Sequence, residues 1–419
     1  MLRSSSQPAT TPPPTSATPA ATHRARDYAY YRAIFRNQRA PYAFIDLDAL
    51  DENIRYTLAR ANGKNVRLAT KSLRSVAIIK RILGASPTFQ GLMCFTAREA
   101  VHLASLGFSD LLVGYPCYDE RDIGEVAQAI AGGASITLMV DSLAHVERVS
   151  AVAEQAGTRM PLCLDIDMSL PAPGLHFGVW RSPLHGATDA RPVIERILAA
   201  PGVYLDGIMG YEAQIAGVGD NMPGQGAKNT VVRLLKRRSA PDVARRRAEV
   251  VALARELGVN LRFVNGGGTG SMRTTGAEAA VTEITVGSGF YGPSLFDNYQ
   301  EFRYQPAAAY AIQIVRQPAP DIYTCLGGGY IASGTTGPEK APAIYLPRGA
   351  HFDSNEGAGE VQTPIHYSGP ERLTLGDPVF LRHSKAGELC ERFTHLALVS
   401  NGAIVENVTT YRGDGLCFL

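Results

Sequence analysis

Between residues 66 and 287 the chain repeats one pattern, a short apolar run followed by a stretch with helical spacing of its apolar residues. The runs are 66–71, 91–96, 110–115, 134–140, 161–167, 204–211, 261–268 and 282–287. Helical spacing is clearest at 96–106, 119–130, 142–156 and 190–199. Strands that are apolar throughout, separated by helices, read as parallel strands covered on the outside. Eight such units fit a closed (β/α)8 barrel of TIM type. A doubly wound open sheet is the alternative. A further strand-like run, 43–47, comes earlier, and Asp48 is the expected cap of a helix reaching Arg60. Beyond Phe296 the runs 310–316, 322–326, 378–382, 395–400 and 403–408 are β-rich and separated by Gly and Pro, which predicts an all-β domain. The barrel is complete without run 43–47, which is therefore free to join that domain. The expected division is a disordered tail over 1–25, a barrel domain over 26–296 and a C-terminal β domain over 297–419.

Composition narrows the partners. A net charge of +2 gives no reason to expect nucleic acid or an anionic membrane surface. The basic cluster Lys236, Arg237, Arg238, Arg245, Arg246 and Arg247 reads as the solvated face of a helix. Six cysteines include no C-x-x-C pair, which suits a reducing compartment. No run of 18 apolar residues is present. The first 25 residues are mostly Ser, Thr, Pro and Ala without an apolar core, so they read as disordered rather than as a signal peptide. The expected location is cytoplasmic, with a cleaved organellar transit peptide as the alternative.

In a barrel of this type the chemistry sits at the C-terminal ends of the strands. The seventh strand runs into Asn265-Gly266-Gly267-Gly268-Thr269-Gly270-Ser271, and the eighth into Gly287-Ser288-Gly289-Phe290-Tyr291. Two glycine-rich loops on neighbouring strands make a cradle for a phosphate, because bare Cα positions let backbone N–H groups approach an anion. The first strand ends Ala69-Thr70-Lys71-Ser72 and neighbours the eighth around the closed barrel. A buried lysine facing a phosphate site suggests a Schiff base with pyridoxal 5′-phosphate (PLP).

These residues carry a family resemblance. The segment from Tyr42 to Leu50 with Asn53-Ile54, the segment Arg67-Leu68-Ala69-Thr70-Lys71-Ser72 and the two glycine loops with Asp297 beyond them resemble the fold-type III PLP enzymes. Within that group they are similar to the D-threonine aldolases and D-serine dehydratases. The resemblance covers residues 40 to 410 or so and implies that Lys71 bonds to the cofactor. It implies that Gly268, Thr269, Gly270 and Ser271 bind the phosphate, helped by Gly287, Ser288 and Tyr291. Tyr211 lies where the family has a residue near the cofactor ring, and Glu212 is a further candidate to face it. Arg181 is a candidate partner of the cofactor or of the substrate carboxylate. The implied activity is a lyase reaction on D-3-hydroxy amino acids, either aldol cleavage to glycine and an aldehyde or dehydration to a keto acid and ammonia. The implied assembly is a head-to-tail homodimer.

One stretch departs from the family pattern. The resembled enzymes hold a divalent metal with a His-x-Asp or His-x-Cys pair in the second domain, and the metal polarises the substrate's 3-hydroxyl. Here His383 is followed two residues on by Lys385, an ammonium that is a poor metal ligand. Three readings stay open. The first in order is metal-free, with His383 as base or hydrogen-bond partner of the 3-hydroxyl and Lys385 supplying positive charge. In the second, His383 binds metal with Glu388 or Cys390. In the third, the stretch is a surface turn. His351 and Asp353 have His-x-Asp spacing and offer a second metal candidate. The competing functions are an amino-acid racemase, a non-catalytic PLP-binding protein, and a phosphate-binding barrel enzyme without PLP.

Overall fold

A computed structural model describes residues 26–172, 174–334, 337–385 and 387–419. The tail expected over 1–25 lies outside the described residues. The described chain opens with a helix, Tyr28–Ile34, and strand β1, Tyr42–Asp46. Then come β2 (Asn65–Ala69), β3 (Phe89–Cys94), β4 (Leu111–Val113), β5 (Ile136–Val140) and β6 (Met160–Asp165). A hairpin of β7 (Leu170–Ala172) and β8 (Leu175–Phe177) precedes β9 (Val203–Gly210), β10 (Phe263–Gly266) and β11 (Glu283–Val286). Strands β2–β6 and β9–β11 are parallel and form a closed barrel. Closure joins β11 to β2, with Glu283 opposite Asn65 and Val286 opposite Leu68. Each of the eight runs read from the sequence is a barrel strand.

Side chains fill the barrel rather than leaving a pore. Leu112, Met139, Cys163, Met209 and Phe263 pack inside it. A Cβ on Gly207 would collide with the Phe263 ring, so this strand position requires glycine. Inside the barrel Arg67 is fully buried and donates through Nε to Glu283 Oε1 at 2.7 Å and through Nη2 to Asp110 Oδ2 at 2.9 Å. Arg262 pairs with the same Asp110 at 2.7 Å and with Asp206 at 2.6 Å.

The second layer of structure is a nine-stranded sheet. Its other members are β12 (Ala308–Ala319), β13 (Ile322–Leu326), β14 (Ala343–Leu346), β15 (His351–Phe352), β16 (Gln362–His366), β17 (Pro378–Arg382), β18 (His395–Ser400) and β19 (Ala403–Thr409). Strand β1 lies in this sheet, antiparallel to β12 and parallel to β18. The chain therefore passes through the C-terminal sheet at β1 before it enters the barrel. Asp46, at the end of β1, caps the helix Leu47–Arg60 by accepting from Ala49 N at 2.9 Å. This corrects the expected Asp48 cap. Asp46 also accepts from Tyr31 Oη at 2.7 Å, so the same carboxylate pins the entry helix.

The basic cluster is also corrected. It lies on one long helix, Gly226–Glu256, but that helix does not turn all its cations to water. Arg247 is fully buried and pairs with Glu212 at 2.9 Å and with Glu278. Arg246 donates to the carbonyls of Asp167 and Ser169 at 2.7 and 2.8 Å, and Lys236 pairs with Asp220 at 2.9 Å. Among the described residues no helix is long and apolar enough to cross a membrane.

Candidate active site

The C-terminal ends of the barrel strands open into a cavity of about 470 Å³, which the C-terminal sheet also borders through Lys385. Lys71 reaches it from the 3-10 turn Thr70–Ser72 that follows β2. Its side chain is exposed within the cavity, which corrects the expectation of a buried lysine. Lys71 Nζ donates to Tyr115 Oη at 2.6 Å, and Tyr115 stands two residues past the end of β4. The Arg181 guanidinium faces the Tyr115 ring at 5.6 Å and the Tyr211 ring at 5.1 Å. Burial pushes the Tyr211 phenol up to about 12, so it is a neutral donor at physiological pH. Burial also pushes the Tyr115 phenol up, but Lys71, Arg181 and Lys385 together outweigh it and hold it below its ordinary value. At the end of β6, burial raises the Asp165 carboxyl to about 7 against the pull of Arg181.

Of the two glycine loops, Gly268, Thr269, Gly287 and Ser288 line the cavity. Side chains would fill the space: a Cβ on Gly287 would lie 2.8 Å from those of Ala69 and Ser72, and one on Gly268 would lie 3.0 Å from that of Ala216. Among the described residues, the backbone N–H groups of Thr269 and Ser288 have no acceptor. The hydroxyls of Ser72 and Ser288 are 3.2 Å apart at the same wall. Gly270, Ser271 and Tyr291 are not at this wall. Ser271 Oγ turns back to donate to Glu212 at 2.7 Å, and Tyr291 is buried with its hydroxyl on Leu73 O at 2.8 Å. Glu212 does not face the cavity either. It accepts from Gly267 N at 3.3 Å, from Ser271 and from Thr275, and it pairs with Arg247. Its role is to hold the glycine loop in shape from behind.

The sheet side of the cavity divides the residues that the sequence had grouped. Lys385 lines the cavity together with Lys340, but His383 does not. The imidazole is 2% exposed, both its ring nitrogens lack partners among the described residues, and it meets the Tyr291 ring edge-on at 6.4 Å. Burial, and then the charge of Arg382, lower it to about 3, so it stays neutral at ordinary pH. The reading of His383 as the group touching the 3-hydroxyl is thereby corrected: Lys385 is the member of that stretch that reaches the cavity.

A divalent metal does not fit this donor set. Glu388 accepts from Ser333 N at 3.0 Å, and Cys390 Sγ donates to Leu73 O at 3.2 Å. Neither is arranged with His383, and among the described residues no three His, Cys, Asp or Glu are grouped to hold an ion. His351 stacks on His366 at 5.3 Å across the β15–β16 pair, while Asp353 bonds His366 Nε2 at 3.0 Å and caps a turn at Asn355. That second candidate is a strand end and its turn.

The sequence reading missed Tyr115, Lys340 and Ser72. Tyr115 carried a usable signal, since it is the last residue of the run 110–115 and so stands at a strand's C-terminal end. Lys340 carried none, because a loop of the sheet brings it in. Among the described residues no aspartate or glutamate lines the cavity, although Lys71, Lys340, Lys385 and Arg181 all do.

Residues 45–294 match the family of the alanine racemase N-terminal domain, and the chain belongs to that family. The 3-hydroxy-D-aspartate aldolase of Paracoccus denitrificans is 30% identical over 258 residues, or 60% of this chain and 59% of that protein. The match thus spans about three fifths of that relative. A D-threonine aldolase of an Arthrobacter species is 24% identical over 364 residues, covering 82% of this chain and 87% of that protein. Among solved structures, the D-threonine aldolase of Filomicrobium marinum superposes with a TM-score of 0.74 at 16% identity, covering 90% of this chain and 95% of that one. At that identity the likeness speaks for the fold.

PLP, the cofactor this family implies, fits the cavity. The free N–H groups of Thr269 and Ser288 and the bare Cα positions of Gly268 and Gly287 suit a phosphate. Lys71 suits covalent attachment, and the wall between them is otherwise neutral or cationic.

Proposed function

We propose that this chain is a PLP-dependent lyase acting on D-configured 3-hydroxy amino acids. The observation that carries the reading is the meeting of Lys71 with both glycine loops in one cavity that, among the described residues, no carboxylate lines. Gly268, Thr269, Gly287 and Ser288 would hold the phosphate, with Ser72 beside them, and Lys71 would hold the cofactor's aldehyde carbon. When bound, PLP draws electrons from the amino acid's Cα, so that a bond there can break. The chain's own residues then decide which bond. Lys71 is suited to moving a proton at Cα, and Arg181 with the neutral phenol of Tyr211 to fixing the ring side.

The second anion of the substrate is the finer part of the proposal. Lys385 and Lys340 add two cations beyond those that a phosphate and one carboxylate call for. Burial, then Lys71 and Lys340, lower the Lys385 ammonium, which a bound carboxylate would counter. A 3-hydroxyaspartate-like acid suits this end better than threonine, and the relative from Paracoccus denitrificans is named for such a substrate. Aldol cleavage needs a base at the 3-oxygen and dehydration needs an acid. No metal takes part in this reading. A homodimer and a cytoplasmic location belong to the same proposal, on family likeness alone.

The test is direct. Purified protein supplied with PLP should become yellow, and D-3-hydroxyaspartate should yield glycine and glyoxylate or oxaloacetate and ammonia. It should be consumed faster than D-threonine. A folded protein that takes up no PLP overturns the reading. Preference for D-threonine overturns the assignment of Lys340 and Lys385. Light scattering decides the dimer.

A further inference from the structure

We propose that Tyr115 is the proton acceptor that frees the Lys71 amine for reaction. The inference rests on Lys71 as the reacting lysine of the proposed function. A lysine attacks an aldehyde only through its lone pair, so the ammonium must first lose a proton. Lys71 stands exposed in the cavity. A partner held against the amine can take the proton directly, and the geometry offers one. Tyr115 Oη, at 2.6 Å, is the only hydrogen-bond partner of Lys71 Nζ among the described residues.

Nearby groups are otherwise committed or lack basicity. The Ser72 hydroxyl is shared with Ser288. His176 bonds Val179 O at 3.2 Å and stacks on Trp180 at 3.8 Å. Among the described residues no carboxylate lines the cavity.

The surroundings favour the phenolate. The charged and titratable groups facing Tyr115 are Lys71 after β2, Arg181 after the β7–β8 hairpin, Lys385 after β17 and the Tyr211 phenol after β9. Three of the four are cations, and their pull exceeds the opposing effect of burial. The step balances without a further reactant. The Lys71 ammonium gives its proton to the Tyr115 oxygen, leaving a neutral amine and a neutral phenol. The amine lone pair would then be free to bond to an aldehyde carbon, whose oxygen would leave as water with the amine's two hydrogens, while the phenol holds a proton that it can return to the nitrogen.

Two measurements on the full chain test this. Titrating phenolate absorbance in the cofactor-free protein should show one tyrosine ionising below 10, the ordinary value. That ionisation should be missing in Tyr115→Phe and moved upward in Lys71→Gln. Uptake of PLP, followed by its visible absorbance, should be at least about a hundredfold slower at pH 7 in Tyr115→Phe, with an unchanged Tm and recovery of the rate at high pH. A Tyr115→Phe chain that captures PLP with the wild-type rate and pH midpoint overturns the proposal. If wild-type protein captures no PLP at any pH, the proposed function fails. The titration still decides Tyr115, because a midpoint that ignores Lys71→Gln overturns the pairing.

Discussion

Two groups of cations occupy the barrel, and they are built on opposite rules. Inside it, Arg67 is surrounded by acceptors: Glu283 and Asp110 hold its guanidinium, and Arg262 shares Asp110 with Asp206. Asp110 shows the balance, since burial would raise its carboxyl but the two arginines hold it below the usual range. At the C-terminal end, Lys71, Lys340, Lys385 and Arg181 face one cavity whose described lining holds no carboxylate. The first group is complete as folded, and every charge it buries is matched. The second is left short of negative charge, which is a recognisable way to reserve a site for anions. The difference separates residues kept for stability from residues kept for a ligand.

The strongest break in that contrast is Lys71→Ala. An exposed side chain with one hydrogen bond contributes little to folding, so Tm should hold. Turnover should fall by at least about a thousandfold, the scale on which loss of a covalent catalytic residue acts, and the visible absorbance should vanish. An alanine variant that still turns over at the wild-type rate would remove Lys71 from the chemistry.

Arg67→Met probes the other group and should do the reverse. It leaves Glu283 buried without its arginine, with only Asn265 Nδ2 donating at 2.8 Å. Such a half-broken pair destabilises by about 3–5 kcal/mol, readable as a fall in the denaturant midpoint. Arg67→Met with Glu283→Leu should recover most of that loss, because no unmatched charge remains. If the double variant is no better than the single, charge matching is not what Arg67 supplies.

The contrast also explains what the sequence could tell. The barrel was legible because its strands are apolar throughout and its helices keep their spacing, which are properties of short windows. Lys71 and the two glycine loops were legible because each ends a strand, and closure of the barrel brings β10, β11 and β2 together. The place of Glu212 behind the glycine loop was not legible, because its partner, Arg247, comes from a helix that reads as a solvated basic face. His383 and Lys385 are two residues apart, so spacing put both at the site. The chain turn after β17 sends one into the sheet's interior and the other into the cavity, which is a matter of tertiary packing. Three short sheet strands, β14, β15 and β16, carried too little apolar pattern to be seen.

Lys385→Gln sharpens the cavity side by removing one cation and leaving the fold alone. Losing a hydrogen bond to a charged group is worth about 1.5–3 kcal/mol, so KM for D-3-hydroxyaspartate should rise by about ten- to a hundredfold. KM for D-threonine, which lacks the second carboxylate, should move much less. Equal losses for both substrates would put Lys385 at the 3-oxygen or the first carboxylate instead.

The smallest effect belongs to His383, which is neither in the matched network nor in the cavity. Its folded value of about 3 lies below the ordinary 6.5, so the unfolded chain binds a proton that the native chain refuses. Its contribution is present above pH 6.5 and is lost as pH falls toward 3. At pH 5.5 the loss is about 1 kcal/mol, being one unit below the unfolded value. His383→Leu should therefore flatten the acid side of the stability profile by about that amount. Comparing pH 7.5 with pH 5.5 in one variant isolates this from packing changes, which act at both. Turnover at pH 7.5 should persist, since an imidazole buried behind the cavity wall touches no reactant. A leucine variant that keeps the flattened profile but loses turnover would return the imidazole to the substrate and erase the line drawn between His383 and Lys385.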